Sequence, residues 1–173
     1  MFPKVTLILG GVSSGKSSFA EGLVKSYEKP AVYIATALAS DGEMADKITR
    51  HQRSRGEGWH TMEVPLDVAG ALADIAAAHV VLLDCASMWL SNQMLAGADL
   101  AQKEVLLLAA LKDCASPVVV VSNEVGLGGV PENALARKFG QAQGVLNIAL
   151  ARQADLVVQV VAGLSQVLKG RLP

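Results

Sequence analysis

Val5 to Ser17 reads VTLILGGVSSGKS, and this stretch decides the fold. Val5 to Leu9 is a short apolar run with β-branched residues, the pattern of a buried strand. Gly10 to Ser17 then matches G-x-x-x-x-G-K-S in full. The glycines let backbone N–H groups turn inward around phosphate oxygens, and the helical run beginning near Lys16 adds the positive end of its dipole. Gly10, Gly11, Val12, Ser13, Ser14, Gly15, Lys16 and Ser17 are therefore the expected phosphate contacts. Lys16 is placed to reach the β- and γ-phosphates, and the Ser17 hydroxyl to bind Mg²⁺. A chance glycine-rich turn would lack the strand before it and the helix after it.

Working outward, apolar runs alternate with helical patterns. Ala31 to Ala35, Val80 to Asp84, Val118 to Val121 and Leu156 to Val161 read as strands, with a shorter one over Thr61 to Val64. Helices are expected over Glu43 to Arg55, Asp67 to Ala78, Ser87 to Leu95, Leu100 to Asp113 and Glu132 to Gln153. Asp67 serves as an N-cap, and Leu135, Phe139, Ala142, Leu146 and Leu150 lie on one stripe of the last helix. Gly163 marks a turn into an antiparallel partner, Gln166 to Lys169. Strands apolar on both faces argue for a mainly parallel sheet covered on both sides; taken with the phosphate loop, the expected fold is α/β of P-loop, RecA-like type.

Composition sets the outer bounds. The 173 residues fit one domain spanning 1–173, and 51% are hydrophobic against 18% charged and 4% aromatic. The net charge of -1 gives no footprint for nucleic acid. No apolar run reaches the roughly 18 residues of a membrane span, and no leader peptide is expected before the first strand. Cys85 and Cys114 form neither a zinc pattern nor a disulfide framework, so a reduced, cytoplasmic setting is expected. Both are read as small buried apolar residues.

Two further positions bear on chemistry. Asp84 closes the Val80 strand, where a Walker-B carboxylate holds the metal; the other reading is an N-cap for the next helix. His51 stands among Arg50, Arg53 and Arg55. An imidazole can attack an α-phosphorus and carry a nucleotidyl group as a phosphoramidate, with guanidinium groups neutralising the phosphates. His51 also shares a stripe with Met44 and Ile48, so a packed histidine is the alternative. After the VVVV strand come Asn123 and Glu124: Glu124 is suited to orient a substrate hydroxyl or act as base, and Asn123 to position it, unless both serve only the loop backbone. Arg137 faces a phosphate or solvent.

The order of motifs resembles the bifunctional adenosylcobinamide kinase / adenosylcobinamide-phosphate guanylyltransferase family of cobalamin biosynthesis. The similar segments are GGVSSGKS (10–17), YIATA (33–37), DGEMADKITRHQRSRGEGWHTME (41–63), LLDCASMWLSN (82–92), the block from Val118 to Leu164, and VLK (167–169). The resemblance implies two reactions. ATP or GTP phosphorylates adenosylcobinamide; GTP then donates GMP to that phosphate through a GMP-histidine intermediate, releasing pyrophosphate. It implies His51 as the nucleophile, and Ala35, Thr36, Ala37, His51, Gln52, Arg53, Ser54, Glu63 and Asp84 as GTP contacts. It also implies a homotrimer with sites near subunit boundaries. Ser13 stands where the family often has Arg, Gln52 replaces a usual Arg, Gly140-Gln141 replace Arg-Asp, and Ile148 replaces Gln. These are losses of polar and basic groups that bear on phosphate or substrate contacts. Two alternatives to the family reading are a P-loop kinase of another small molecule and a non-catalytic nucleotide-binding module.

Overall fold

The computed structural model describes residues 2–38 and 58–173. The helix expected over Glu43 to Arg55, with His51, Gln52, Arg53 and Ser54, lies outside them. Among the described residues the elements run β1 (Val5–Gly10), α1 (Lys16–Lys25), β2 (Ala31–Ala35), β3 (Trp59–Glu63), α2 (Val68–Ala73), β4 (Val80–Asp84), α3 (Ala86–Leu95), α4 (Leu100–Asp113), β5 (Val118–Asn123), a 3₁₀ turn (Gly126–Gly128), α5 (Ala134–Gln153), β6 (Leu156–Val161) and β7 (Leu164–Lys169).

The strands form one seven-stranded sheet in the order β3-β2-β4-β5-β1-β6-β7. All neighbours are parallel except β6 and β7. This is the mainly parallel P-loop sheet with an antiparallel C-terminal strand that the apolar runs imply. Each strand's alternation divides its residues between two cores. Ile8, Leu82, Val119, Val121 and Val158 pack with Ala20, Leu23 and Val24 of α1. Leu7, Leu83, Val120 and Val157 pack with Leu72, Trp89, Leu107, Leu111, Leu146 and Leu150 of α2 to α5. The start of β1 is fixed by Asp155, whose Oδ2 accepts the N–H groups of Lys4 and Val5 at 2.9 and 3.0 Å.

Three local expectations shift. Helix α2 stops at Ala73, short of Ala78. Asp67 caps it as expected, accepting from Gly70 N–H at 3.0 Å. Beyond it the carbonyl of Ala76 is taken by the Ser116 hydroxyl and the N–H of His79, so a turn into β4 replaces the last helical turns. On α5, Leu135 is 59% exposed rather than in the core; the buried stripe starts from Phe139. The hairpin after β6 is tighter than expected, so β7 begins at Leu164. Ala162 and Gly163 both have positive φ, 51° and 78°, the pattern of a two-residue type I′ turn matching strand twist.

Candidate active site

The phosphate loop leaves β1, an interior strand between β5 and β6. Ser13 and Gly15 take positive φ, 57° and 91°, which folds the loop back over its own start. Ser14 N–H donates to Gly11 O at 3.3 Å. Gly15 occupies the N-cap of α1 with no capping side chain. The first N–H groups of that helix are therefore presented to whatever anion the loop encloses. Lys16 Nζ donates to Gly11 O at 3.1 Å, which lays the ammonium across the loop.

The loop is braced from the far side. Gly163 N–H in the β6–β7 turn donates to Ser14 O at 2.8 Å, and a Cβ at Gly15 would come within 3.2 Å of Gly163 Cα. Gly10 is still more confined. Its Cβ would run into Ser14 Oγ and come within 2.7 Å of Val160 O, a backbone atom. Gly10→Ala is accordingly expected to push the loop off the β6 backbone, with a loss of about 1–3 kcal/mol in stability. Nucleotide affinity should fall at least about tenfold through the misplaced N–H groups. Thermal melting with and without nucleotide checks both.

Asp84 ends β4, one strand removed from β1, with β5 between them. Its Oδ2 accepts the Tyr33 hydroxyl at 3.1 Å. The carboxylate does not cap α3: Cys85 holds the N-cap, its Sγ accepting from Met88 N–H at 3.4 Å. Burial first, and then the Asp84 charge, push the Cys85 thiol up to about 11, with backbone hydrogen bonds and Lys16 opposing. The loop lysine and the strand carboxylate thus act on the same neighbourhood. The hard oxygens of Ser17 and Asp84 suit Mg²⁺, which takes one or two protein oxygens and completes its shell with water and phosphate.

Other expected contacts separate. Ala35 and Ala37 lie at the carboxyl end of β2 and just beyond it, and Glu63 is exposed at the end of β3, opposite Ala35. Thr36 is fully buried, and its polar groups are used inside the protein. Its hydroxyl donates to Cys85 O at 2.7 Å and accepts Cys85 N–H at 2.8 Å, its N–H bonds Asp84 O, and its carbonyl accepts Asn92 Nδ2 at 2.8 Å. Thr36 thereby braces the Asp84–Cys85 corner. Glu124 follows β5; its N–H donates to Gly10 O at 3.0 Å, and its Oε1 accepts Gly126 N–H at 2.6 Å. Glu124 therefore stands against the first residue of the phosphate loop. Arg137 Nη1 is occupied by the carbonyls of Pro131 and Glu132, at 2.9 and 2.5 Å. Ser13 is exposed on the loop, and Gly140 and Ile148 lie on α5, Ile148 with its side chain in solvent.

Sequence reading missed Tyr33, Ser87, Gln143 and Asn147. For the last two a signal existed: Gln143 and Asn147 are four apart and interrupt an apolar helical stripe.

Known proteins resemble this chain over most of its length. The family model described as cobinamide kinase / cobinamide phosphate guanyltransferase matches residues 6–168. The bifunctional adenosylcobalamin biosynthesis protein CobP of Pseudomonas aeruginosa is 40% identical over 167 residues, covering 95% of this chain and 96% of its own. The corresponding CobU of Salmonella typhimurium is 38% identical over 94% of this chain and 98% of its own, and that of Escherichia coli 37% over 94% and 98%. Among solved structures, the flagellar accessory protein FlaH of Methanocaldococcus jannaschii superposes with a TM-score of 0.54 at 15% identity, over 97% of this chain and 79% of its own; that likeness speaks to the fold alone. The chain belongs to the cobinamide kinase / cobinamide phosphate guanyltransferase family.

Proposed function

We propose that this protein phosphorylates adenosylcobinamide with ATP or GTP and then transfers GMP from GTP to the new phosphate, giving adenosyl-GDP-cobinamide and pyrophosphate. The observation that carries this is the phosphate loop, with Lys16 laid across it and Asp84 and Glu124 on the neighbouring strand ends, in a chain of this family from residue 6 to residue 168. In the first step Gly10 to Ser17 hold the triphosphate, Lys16 offsets the charge that develops on the β- and γ-phosphates, and Glu124 takes the proton of the attacking hydroxyl. Ser17 and Asp84 would hold Mg²⁺, which would neutralise phosphate charge and align the chain of phosphates.

In the second step the His51 imidazole attacks the α-phosphorus and pyrophosphate leaves. The substrate phosphate oxygen then attacks the same phosphorus and releases His51. Ala35, Ala37, Gln52, Arg53, Ser54 and Glu63 complete the GTP contacts. Thr36, whose hydroxyl is held by Cys85, belongs to the same set. Ser13, exposed on the loop, supplies less positive charge than the arginine of the family pattern.

Exposed Leu127, Val130, Leu135, Val145 and Leu164 support assembly into a homotrimer that covers them. Among the described residues no helix is long and apolar enough to cross a membrane, and both thiols are free and buried; a cytoplasmic, single-domain enzyme over residues 1–173 accords with this.

The deciding experiment supplies purified protein with adenosylcobinamide, labelled GTP and Mg²⁺. Formation of adenosylcobinamide phosphate followed by pyrophosphate release is the expected course. Phosphorylation without pyrophosphate release would leave a kinase only, and neither product would leave a nucleotide-binding module.

A further inference from the structure

A buried set of polar side chains joins α5 to the carboxyl end of β5. Gln143 and Asn147 sit on the apolar stripe of α5, 0% and 8% exposed. Polar groups there carry a desolvation cost that only hydrogen bonds offset. Their bonds converge on two residues. Gln143 Nε2 donates to Ser122 Oγ and to Asn147 Oδ1, both at 2.9 Å. The Ser122 hydroxyl donates to Asn147 Oδ1 at 2.6 Å. Asn147 Nδ2 donates to Asn123 O at 3.1 Å.

The grip is completed from another helix. Ser87, in the first turn of α3, accepts the N–H of Asn123 at 2.8 Å, and its hydroxyl lies 3.4 Å from that of Ser122. Both main-chain groups of Asn123 are thus held by side chains, one from α3 and one from α5. Asn123 is also the register partner of Gly10, the first residue of the phosphate loop.

The network orders the residue between the loop and Asp84. An apolar pair would fill the same helix stripe without any desolvation cost, so the gain lies in position. What is positioned is an acceptor. Among the described residues Asn123 Oδ1 is buried and has no hydrogen-bond donor. Such an atom in a native site calls for a partner from outside the chain.

We propose that Ser87, Gln143 and Asn147 are positioning residues that hold Asn123 so that its Oδ1 accepts the hydroxyl of the phosphoryl acceptor, an alcohol. This rests on the kinase reading above. The hydroxyl oxygen forms its bond to the γ-phosphorus as the bond to the bridging oxygen breaks. That electron pair stays on the nucleoside diphosphate; the single hydroxyl proton, directed at Asn123 Oδ1 before attack, leaves that weakly basic oxygen as the O–P bond forms and passes to the Glu124 carboxylate. Asn123 fixes the direction of the O–H; the three residues behind it fix Asn123.

The test uses full-length Ser87→Ala, Asn147→Leu and Asn123→Ala enzymes. Phosphorylation of adenosylcobinamide is measured beside GMP transfer to preformed adenosylcobinamide phosphate. Asn123→Ala should lower kcat for phosphorylation about 100-fold, in the range of a lost orienting group. Ser87→Ala and Asn147→Leu, which share only the Ser122–Asn123 segment, should each lower it about tenfold, the scale of a small misplacement. KM for the nucleotide and the rate of GMP transfer should stay at wild-type values, and Ser87→Thr, which keeps the acceptor oxygen, should restore phosphorylation. If Asn147→Leu fails to fold, the Ser87 pair decides alone. Equal losses in both reactions, or melting temperatures lowered with kcat unchanged, overturn the proposal. A wild-type enzyme that does not phosphorylate adenosylcobinamide overturns the kinase reading itself, and this inference with it.

Discussion

In the His51→Ala enzyme, transfer of GMP to adenosylcobinamide phosphate should fall to background, a loss on the order of 10⁵-fold or more, while phosphorylation of adenosylcobinamide keeps its rate. The magnitude follows from the role. A nucleophile forms the covalent bond of the step, so its removal deletes the pathway instead of weakening one contact. The selectivity follows from the division of roles. The groups assigned to phosphorylation sit on the β1, β4 and β5 ends of the sheet, and the His51 segment supplies none of them. A phosphoramidate is labile in acid and stable in base, so labelled GTP should leave an acid-labile adduct on the wild type and none on the variant. If His51 were instead a packed core histidine, its loss would lower both reactions together through stability, and no adduct would form. Rates of both steps beside a thermal melt separate these cases.

The sheet was open to reading because its information is local. Val80 to Leu83 and Val118 to Val121 are apolar on both faces, and a parallel strand between helix layers needs that composition. The phosphate loop is likewise local, since glycines, Lys16 and Ser17 must fall at fixed spacing. What could not be read depends on partners distant in the chain. The place of Thr36 after a strand gives no sign that its hydroxyl bonds Cys85, 49 residues away. Ser87 meets Asn123 only because β5 lies beside β4 in the sheet, a matter of topology. Helix α2 shows the same limit on a smaller scale. Its alanines favour helix as far as Ala78, yet it stops at Ala73, and Ser116, from another segment, holds the Ala76 carbonyl beyond it.

Lys16→Ala should lower the phosphorylation rate about 10²- to 10³-fold, the usual effect of deleting one preorganised charge at a site of developing negative charge. The fold should hold. Lys16 is the first residue of α1, alanine is a good helix former, and the bond to Gly11 O is local to the loop. The effect should divide between kcat and nucleotide affinity in a telling way. The loop N–H groups and the α1 terminus bind ground-state phosphate without the lysine, so nucleotide affinity should fall by much less than kcat. GMP transfer responds differently again. There the charge develops on departing pyrophosphate, held by the same loop, so formation of the His51 adduct should slow in Lys16→Ala. Its onward reaction with adenosylcobinamide phosphate takes place after pyrophosphate has gone, and should not slow. Rapid-quench measurement of adduct formation and adduct discharge tests this division. Slowing of both by the same factor would mean that Lys16 shapes the site as a whole, and the assignment of its charge to the β- and γ-phosphates would fail.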